Sequence, residues 1–249
     1  QIYWCCSVSK SRTAKVLLSL KIVQGVIMGS KILTGSLMLV GMILGIIMVF
    51  IEPSVSETEN FAVSAQQLID NSTQAHISFL GNAVAMLAAL IGTAYLARSM
   101  QGSDKPGSDL VGLASVLAFI AATVLAVSGV LQDSILSSSF ADRGGDAGTT
   151  YAISEGIGNG AFGFIGVATL LLGIAIFRQK NLNPIVGAIT GLFGALLVVG
   201  TVLPAADPGL DSTSTIEAIG GAAWFFGFLG WVLMTMVIGG ITIKQARSS

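Results

Sequence analysis

Charge is what this chain most lacks. Asp, Glu, Lys and Arg make up 10% of its 249 residues, where a soluble domain carries about a quarter. Apolar residues reach 53% and the mean hydropathy is +0.84. Too little charge is left to solvate a globular surface, so lipid is expected to cover most of the molecule. Histidine is almost missing too, with His76 alone. A bis-histidine haem within one chain is thereby excluded, as are the His-Glu-x-x-His zinc motif and a Ser–His pair inside the membrane. The two cysteines, Cys5 and Cys6, are adjacent, so they supply neither a disulfide framework nor a spaced metal site. No Gly-x-x-x-x-Gly-Lys-Ser/Thr loop occurs, and a net charge of −1 gives no reason to expect nucleic acid. The chain is therefore expected to use no cofactor, metal, nucleotide or nucleic acid, and not to be an enzyme.

What is present is long apolar runs. Lipid offers the backbone no hydrogen-bond partners, so crossing the bilayer requires about 20 apolar residues in helical form. Six segments qualify: 32–51, 79–97, 110–131, 156–177, 184–203 and 218–243. None contains Asp, Glu, Lys, Arg or His, each of which would cost roughly 2.5–3.5 kcal/mol at the midplane on insertion scales. The expected fold is all-α, a polytopic bundle of six transmembrane helices over 32–243, with an N-terminal segment 1–31 and a tail 244–249. The chain opens on Gln1, and Met28-Gly29-Ser30-Lys31 reads as a normal beginning, which would make residues 1–27 non-native upstream sequence.

Charges then orient the spans. Lys10, Arg12, Lys15, Lys21, Lys31, Arg98, Lys105, Arg178, Lys180, Lys244 and Arg247 fall in one set of connections, and only Arg143 in the other. The positive-inside rule makes the basic side cytoplasmic and places both termini there. Without residues 1–27 the division is still seven against one. The carboxylates do the reverse: only Asp104 and Asp109 are on the basic side.

In the first outer loop, Ser56-x-x-Glu59 is a capping box followed by Phe61, Ala62, Ala65, Leu68 and Ile69 at helical spacing. A short amphipathic helix over about 57–70 is expected on the outer membrane surface, shielding the bundle rather than serving as a lid. Pro184 is expected at the first position of a helix. Asn71-Ser72-Thr73 fits the N-glycosylation pattern on the outer side.

Helices in lipid associate by close packing, which small residues permit. Gly41-x-x-x-Gly45, Gly156-x-x-x-Gly160 and Gly187-x-x-x-Gly191 are the expected contact faces, with Gly163, Gly166, Gly227 and Gly230 adding to them. Such faces, or the outer loops, could also receive a membrane-protein partner. A faint repeat joins Leu80-Gly81-Asn82-Ala83, Ile157-Gly158-Asn159-Gly160 and Ile219-Gly220-Gly221-Ala222, which suggests three out-and-back hairpins.

Polar candidates collect at the outer rim. Glu52, His76, Asp133, Glu155 and Asp207 stand at or near span ends, with Asn82 and Asn159 about one turn deeper. Together they would form a polar vestibule for a cation or small polar solute; alternatively, the carboxylates mark the water boundary and the Asn side chains bond across helices. Two functions fit: a non-catalytic membrane subunit or accessory protein, or a passive carrier or channel for a small neutral or weakly polar solute. Uncharged spans weigh against a proton- or sodium-coupled pump. The short loops suit a prokaryotic plasma membrane.

Overall fold

Backbone groups that must bond within their own segment favour helices, and helices are what the chain forms. The computed structural model describes residues 30–55, 60–206 and 215–248. In chain order the helices are α1 (Ser30–Ile51), α2 (Phe61–Asp70), α3 (Ser72–Ser99), α4 (Ser108–Ser134), α5 (Ser138–Asp142), α6 (Ala147–Gln179), α7 (Pro184–Ala206) and α8 (Thr215–Ser248). No strand occurs among the described residues. Six helices, α1, α3, α4, α6, α7 and α8, are long and apolar enough to cross a bilayer, so this is a multi-pass membrane protein.

The six spans form a closed ring in chain order, and small residues set most of its joints. A methyl on Gly41 of α1 would lie 2.7 Å from the Ala85 carbonyl of α3, and one on Gly129 of α4 would lie 3.0 Å from Ala83 of α3. Further round, Gly158 of α6 abuts Ser128 of α4, and Gly173 of α6 abuts Gly187 and Gly191 of α7. Gly200 of α7 meets Trp224 of α8, and Gly239 of α8 meets Gly35 of α1, which closes the ring.

Two of the expected contact glycines do not serve. Gly156 and Gly160 have nothing within 4 Å of where a Cβ would stand, so that motif faces away from the bundle. Gly45 is in only ordinary contact, at 3.6 Å. A Gly-x-x-x-Gly stripe makes a face smooth without deciding which way the helix turns it.

Inside the ring the core is layered. The middle layer takes side chains from all six spans: Met42, Met86, Ala89, Leu90, Ala121, Ala122, Ile165, Leu197, Trp231 and Val232. A second layer, around Met38, Leu96, Met100, Val111, Leu172, Ile176 and Ile238, fills the end with short connections. Outward-facing side chains are apolar as well, Val40, Leu113, Leu192 and Leu233 among them, as a lipid-covered surface requires. Several threonine hydroxyls within the spans are satisfied locally, whereas the buried Ser115 Oγ of α4 has no hydrogen-bond partner. Thr34, Thr93, Thr190, Thr201 and Thr242 each donate to the carbonyl four residues earlier.

The opposite end of the ring is capped by α2 and α5. Helix α2 is shorter than the expected 57–70, and its N-cap is Asn60, whose side chain accepts from the Ala62 N–H at 3.0 Å. The Ser56-x-x-Glu59 box lies outside the described residues. Helix α2 packs on the bundle itself: Ala65, Leu68, Ala75, Phe79 and Ile135 form a third apolar cluster flanked by Phe140 and Tyr151.

The spanning helices also run beyond their apolar stretches at this capped end. Helix α3 starts at Ser72 and α6 at Ala147, well ahead of residues 79 and 156. The Asp146 side chain accepts from the Thr149 N–H at 3.0 Å, and these hydrogen bonds hold its exposed carboxyl below the usual range. At the other end, α7 starts at Pro184, where the Asn183 side chain accepts from the Ile185 N–H.

Candidate functional site

Three helices hollow out a space just under the cap. Each contributes one stretch two turns long: Phe79 to Met86 on α3, Leu125 to Gln132 on α4, and Glu155 to Phe162 on α6. With a rise of 1.5 Å per residue, the hollow is about 10 Å deep. Its volume is about 140 Å³.

The rim is built from residues four apart on one helix face. On α6, Tyr151 and Glu155 are such a pair, and the Tyr151 hydroxyl donates to the Glu155 carboxylate. On α4, Ser128 and Gln132 are another. Gln132 Nε2 donates to Glu155 Oε1 at 2.7 Å, and one turn deeper Ser128 Oγ donates to the Ser154 carbonyl at 2.8 Å. These two bonds staple α4 to α6. Bonds between helices average about 0.6 kcal/mol in a membrane, so the staple sets position more than it adds stability.

Across the hollow, α3 presents Asn82. Its Oδ1 is buried near Gly45 of α1 and has no hydrogen-bond donor, a condition that costs roughly 1–3 kcal/mol when nothing relieves it. Ala83, Gly129 and Gly158 keep the walls small. Among the residues lining the hollow there is no Lys, Arg or His.

Met86, Leu125 and Phe162 form the floor and are continuous with the middle core layer. Phe162 is held edge-on by Trp224, Phe228 and Trp231 of α8, with ring centroids at 5.5, 5.6 and 6.4 Å. The space is therefore a blind pocket.

Of the rim candidates, Asn82, Glu155 and Asn159 come together here. Asn159 also borders a second groove with Gly200, Thr201, Pro204, Glu217, Gly221 and Trp224. Glu52 follows the last turn of α1 beside Glu155; loss of hydration to the surrounding protein, and then the Glu155 charge, push its pKa up. His76 and Asp133 do not join this group. His76 Nδ1 lies 2.5 Å from Asp133 Oδ1, in a separate groove with Ser72, Thr73 and Ser137. Asp207 lies outside the described residues.

Sequence reasoning missed Gln132, Ser128 and Tyr151. The available signal was polar residues at four-residue spacing across the ends of two spans. Among the described residues, no group of three His, Cys, Asp or Glu side chains could hold a metal ion.

The family model described as "Domain of unknown function (DUF4386)" matches residues 33–235. No curated protein and no solved structure matches the chain.

Proposed function

The chain belongs to the DUF4386 family, and within it we propose a non-catalytic, multi-pass membrane protein that binds a small polar solute from the outer side without passing it through. One observation carries this reading: a polar-walled pocket that opens toward the capped end and stops at Met86, Leu125 and Phe162. A binding site needs concavity and a few convergent polar groups; a channel needs those groups to continue through the midplane. Beneath the floor, Ala89, Ala121 and Ile165 are fully buried and Trp231 nearly so, and that packing supports binding over passage. The protein then acts as an accessory or sensing subunit of the membrane. Its termini are cytoplasmic and its capped end is external, a reading supported by the eleven-to-one division of basic residues.

Thiol labelling tests both parts, in a background with Cys5 and Cys6 replaced by Ser. A Cys at Ala83, in the pocket wall, should react with a small water-soluble reagent from outside. A Cys at Ala89, one layer deeper, should react from neither side. Labelling at Ala89 would indicate a through path and overturn the binding reading, as would an inert Cys at Ala83. For orientation, Ser137→Cys should react from outside and Ser103→Cys only after permeabilisation; the reverse pattern would invert the topology.

A further inference from the structure

Resting on that pocket reading, we propose that the solute is a small organic cation, a primary alkylammonium with a short apolar tail. The ammonium sits between Glu155 and Asn82, and the tail lies on Met86, Leu125 and Phe162.

The chemistry of the wall selects the head group. Glu155 accepts hydrogen bonds from Gln132 Nε2 and the Tyr151 hydroxyl. A carboxylate has about four acceptor positions, so two donors do not saturate it. The proton of Ser128 is committed to the Ser154 carbonyl, leaving that hydroxyl as an acceptor. Asn82 Oδ1 is a buried acceptor with no donor. The lining thus holds acceptors and one acidic side chain beside the amides of Asn82, Gln132 and Asn159, and no cationic side chain. A ligand that brings donors and positive charge complements the acid and the free acceptors, and an ammonium brings three donors. Glu52 beside Glu155 adds a second carboxyl near the mouth, which draws cations in and turns anions away.

The floor selects the rest of the ligand. Met86, Leu125 and Phe162 are apolar, and a bare metal ion held at the rim would leave that surface uncovered. A cavity of about 150 Å³ holds a benzene-sized molecule, and this one is about 140 Å³. Four carbons and one nitrogen fit.

The test is calorimetric titration of the purified full chain in detergent at constant ionic strength and neutral pH. The probes are n-butylammonium, n-butanol, butyrate and sodium. Butylammonium should bind, with butanol at least tenfold weaker and butyrate and sodium silent. Glu155→Gln, which keeps the shape and removes the charge, should weaken butylammonium at least tenfold. Asn82→Leu, nearly isosteric, should weaken it independently, so a fold defect in one variant leaves the other to decide. Equal affinity for butanol and butylammonium would overturn the cation while leaving the pocket. Binding of sodium alone would overturn the organic ligand. Absence of binding by every probe, with Ala83→Cys still labelled from outside, would overturn this inference alone; loss of that labelling would overturn both.

Discussion

Gly160→Ala and Gly173→Ala add the same methyl to the same helix, yet the bundle should respond to them in opposite directions. At Gly160 nothing lies within 4 Å of the added carbon, so only the helix propensity of α6 changes, by up to about 1 kcal/mol in favour of Ala. At Gly173 the carbon would stand 2.3 Å from Gly191 N, 2.6 Å from Gly191 Cα and 2.7 Å from the Gly187 carbonyl. All three are backbone atoms of α7, so no rotamer change relieves the clash. Restoring a carbon contact of about 3.6 Å needs the helices to part locally by more than about 1 Å. A gap of that size forfeits a quarter to a half of each dispersion contact across it. Overpacking typically costs about 1–3 kcal/mol, and an all-backbone clash belongs at the upper end. Against the propensity gain, Gly173→Ala should be destabilised by about 2 kcal/mol, and the two variants should differ by about 3 kcal/mol. For a chain of this size that is a Tm difference on the order of 6–12 °C. Thermal unfolding of both variants in one detergent, followed by loss of the monodisperse peak, measures it. Melting within a degree or two of each other would mean that α6 and α7 do not meet where the ring requires.

Three further outcomes follow from other parts of the molecule. Burial and the Glu155 charge raise the Glu52 pKa above its ordinary 4.5, so its contribution favours the folded state below about pH 4.5 and is lost as pH rises through the raised value. The Tm of the native chain should therefore fall relative to that of Glu52→Gln between pH 4.5 and 8, and parallel profiles would contradict the placement of Glu52 beside Glu155. Ser128→Ala removes a bond between two helices and should cost about 0.6 kcal/mol; Thr242→Ala removes a bond within one helix and should cost less, with Tm ranking the two. Asn60→Ala deletes the N-cap of α2, worth about 1 kcal/mol, and should speed proteolysis at that end of the chain before any change in global Tm.

The spans were legible because lipid demands that backbone groups bond internally, and long charge-free apolar runs meet that demand as helices. Helix ends were not, because a helix that continues into water is no longer constrained by hydropathy. Helix α6 begins at Ala147 under the Asp146 cap, nine residues ahead of the apolar stretch. Packing faces were half legible. Gly41 and Gly187 make the close approaches their motifs suggested, while Gly173, in no such motif, makes one of the tightest. The site shows the same limit. Asn82, Glu155 and Asn159 stood out as polar residues at span ends, but their partners Gln132 and Ser128 are assigned only once α4 is placed against α6. Gln132 and Asp133 are neighbours in sequence and 100° apart around the helix. One meets Glu155 and the other His76, which is why the expected single vestibule divides in two.

The position of the pocket follows from the way the ring is closed. Where glycines meet backbone, as between α6 and α7 or α8 and α1, the lining is apolar: the groove along Gly173, Gly187 and Gly191 is bordered by Leu170, Ile174, Phe177 and Leu192 and offers no polar side chain. Between α3, α4 and α6 the small residues Ala83, Gly129 and Gly158 draw the helices together, but their neighbours Asn82, Ser128, Gln132 and Glu155 are polar. Filling that space with Leu would strand their hydrogen-bonding groups, at a cost of roughly 1–3 kcal/mol each. The cap bears on the same groups. Phe61 of α2 packs edge-on against Tyr151, with ring centroids 6.0 Å apart, and Tyr151 holds Glu155. A displacement of α2 therefore reaches the one carboxyl in the pocket wall through a single intervening side chain, and the expected outcome is that occupancy of the pocket depends on docking of α2. Phe61→Ala should loosen both together; a variant that frees α2 and leaves butylammonium affinity unchanged would show that the cap shields the bundle and does nothing more.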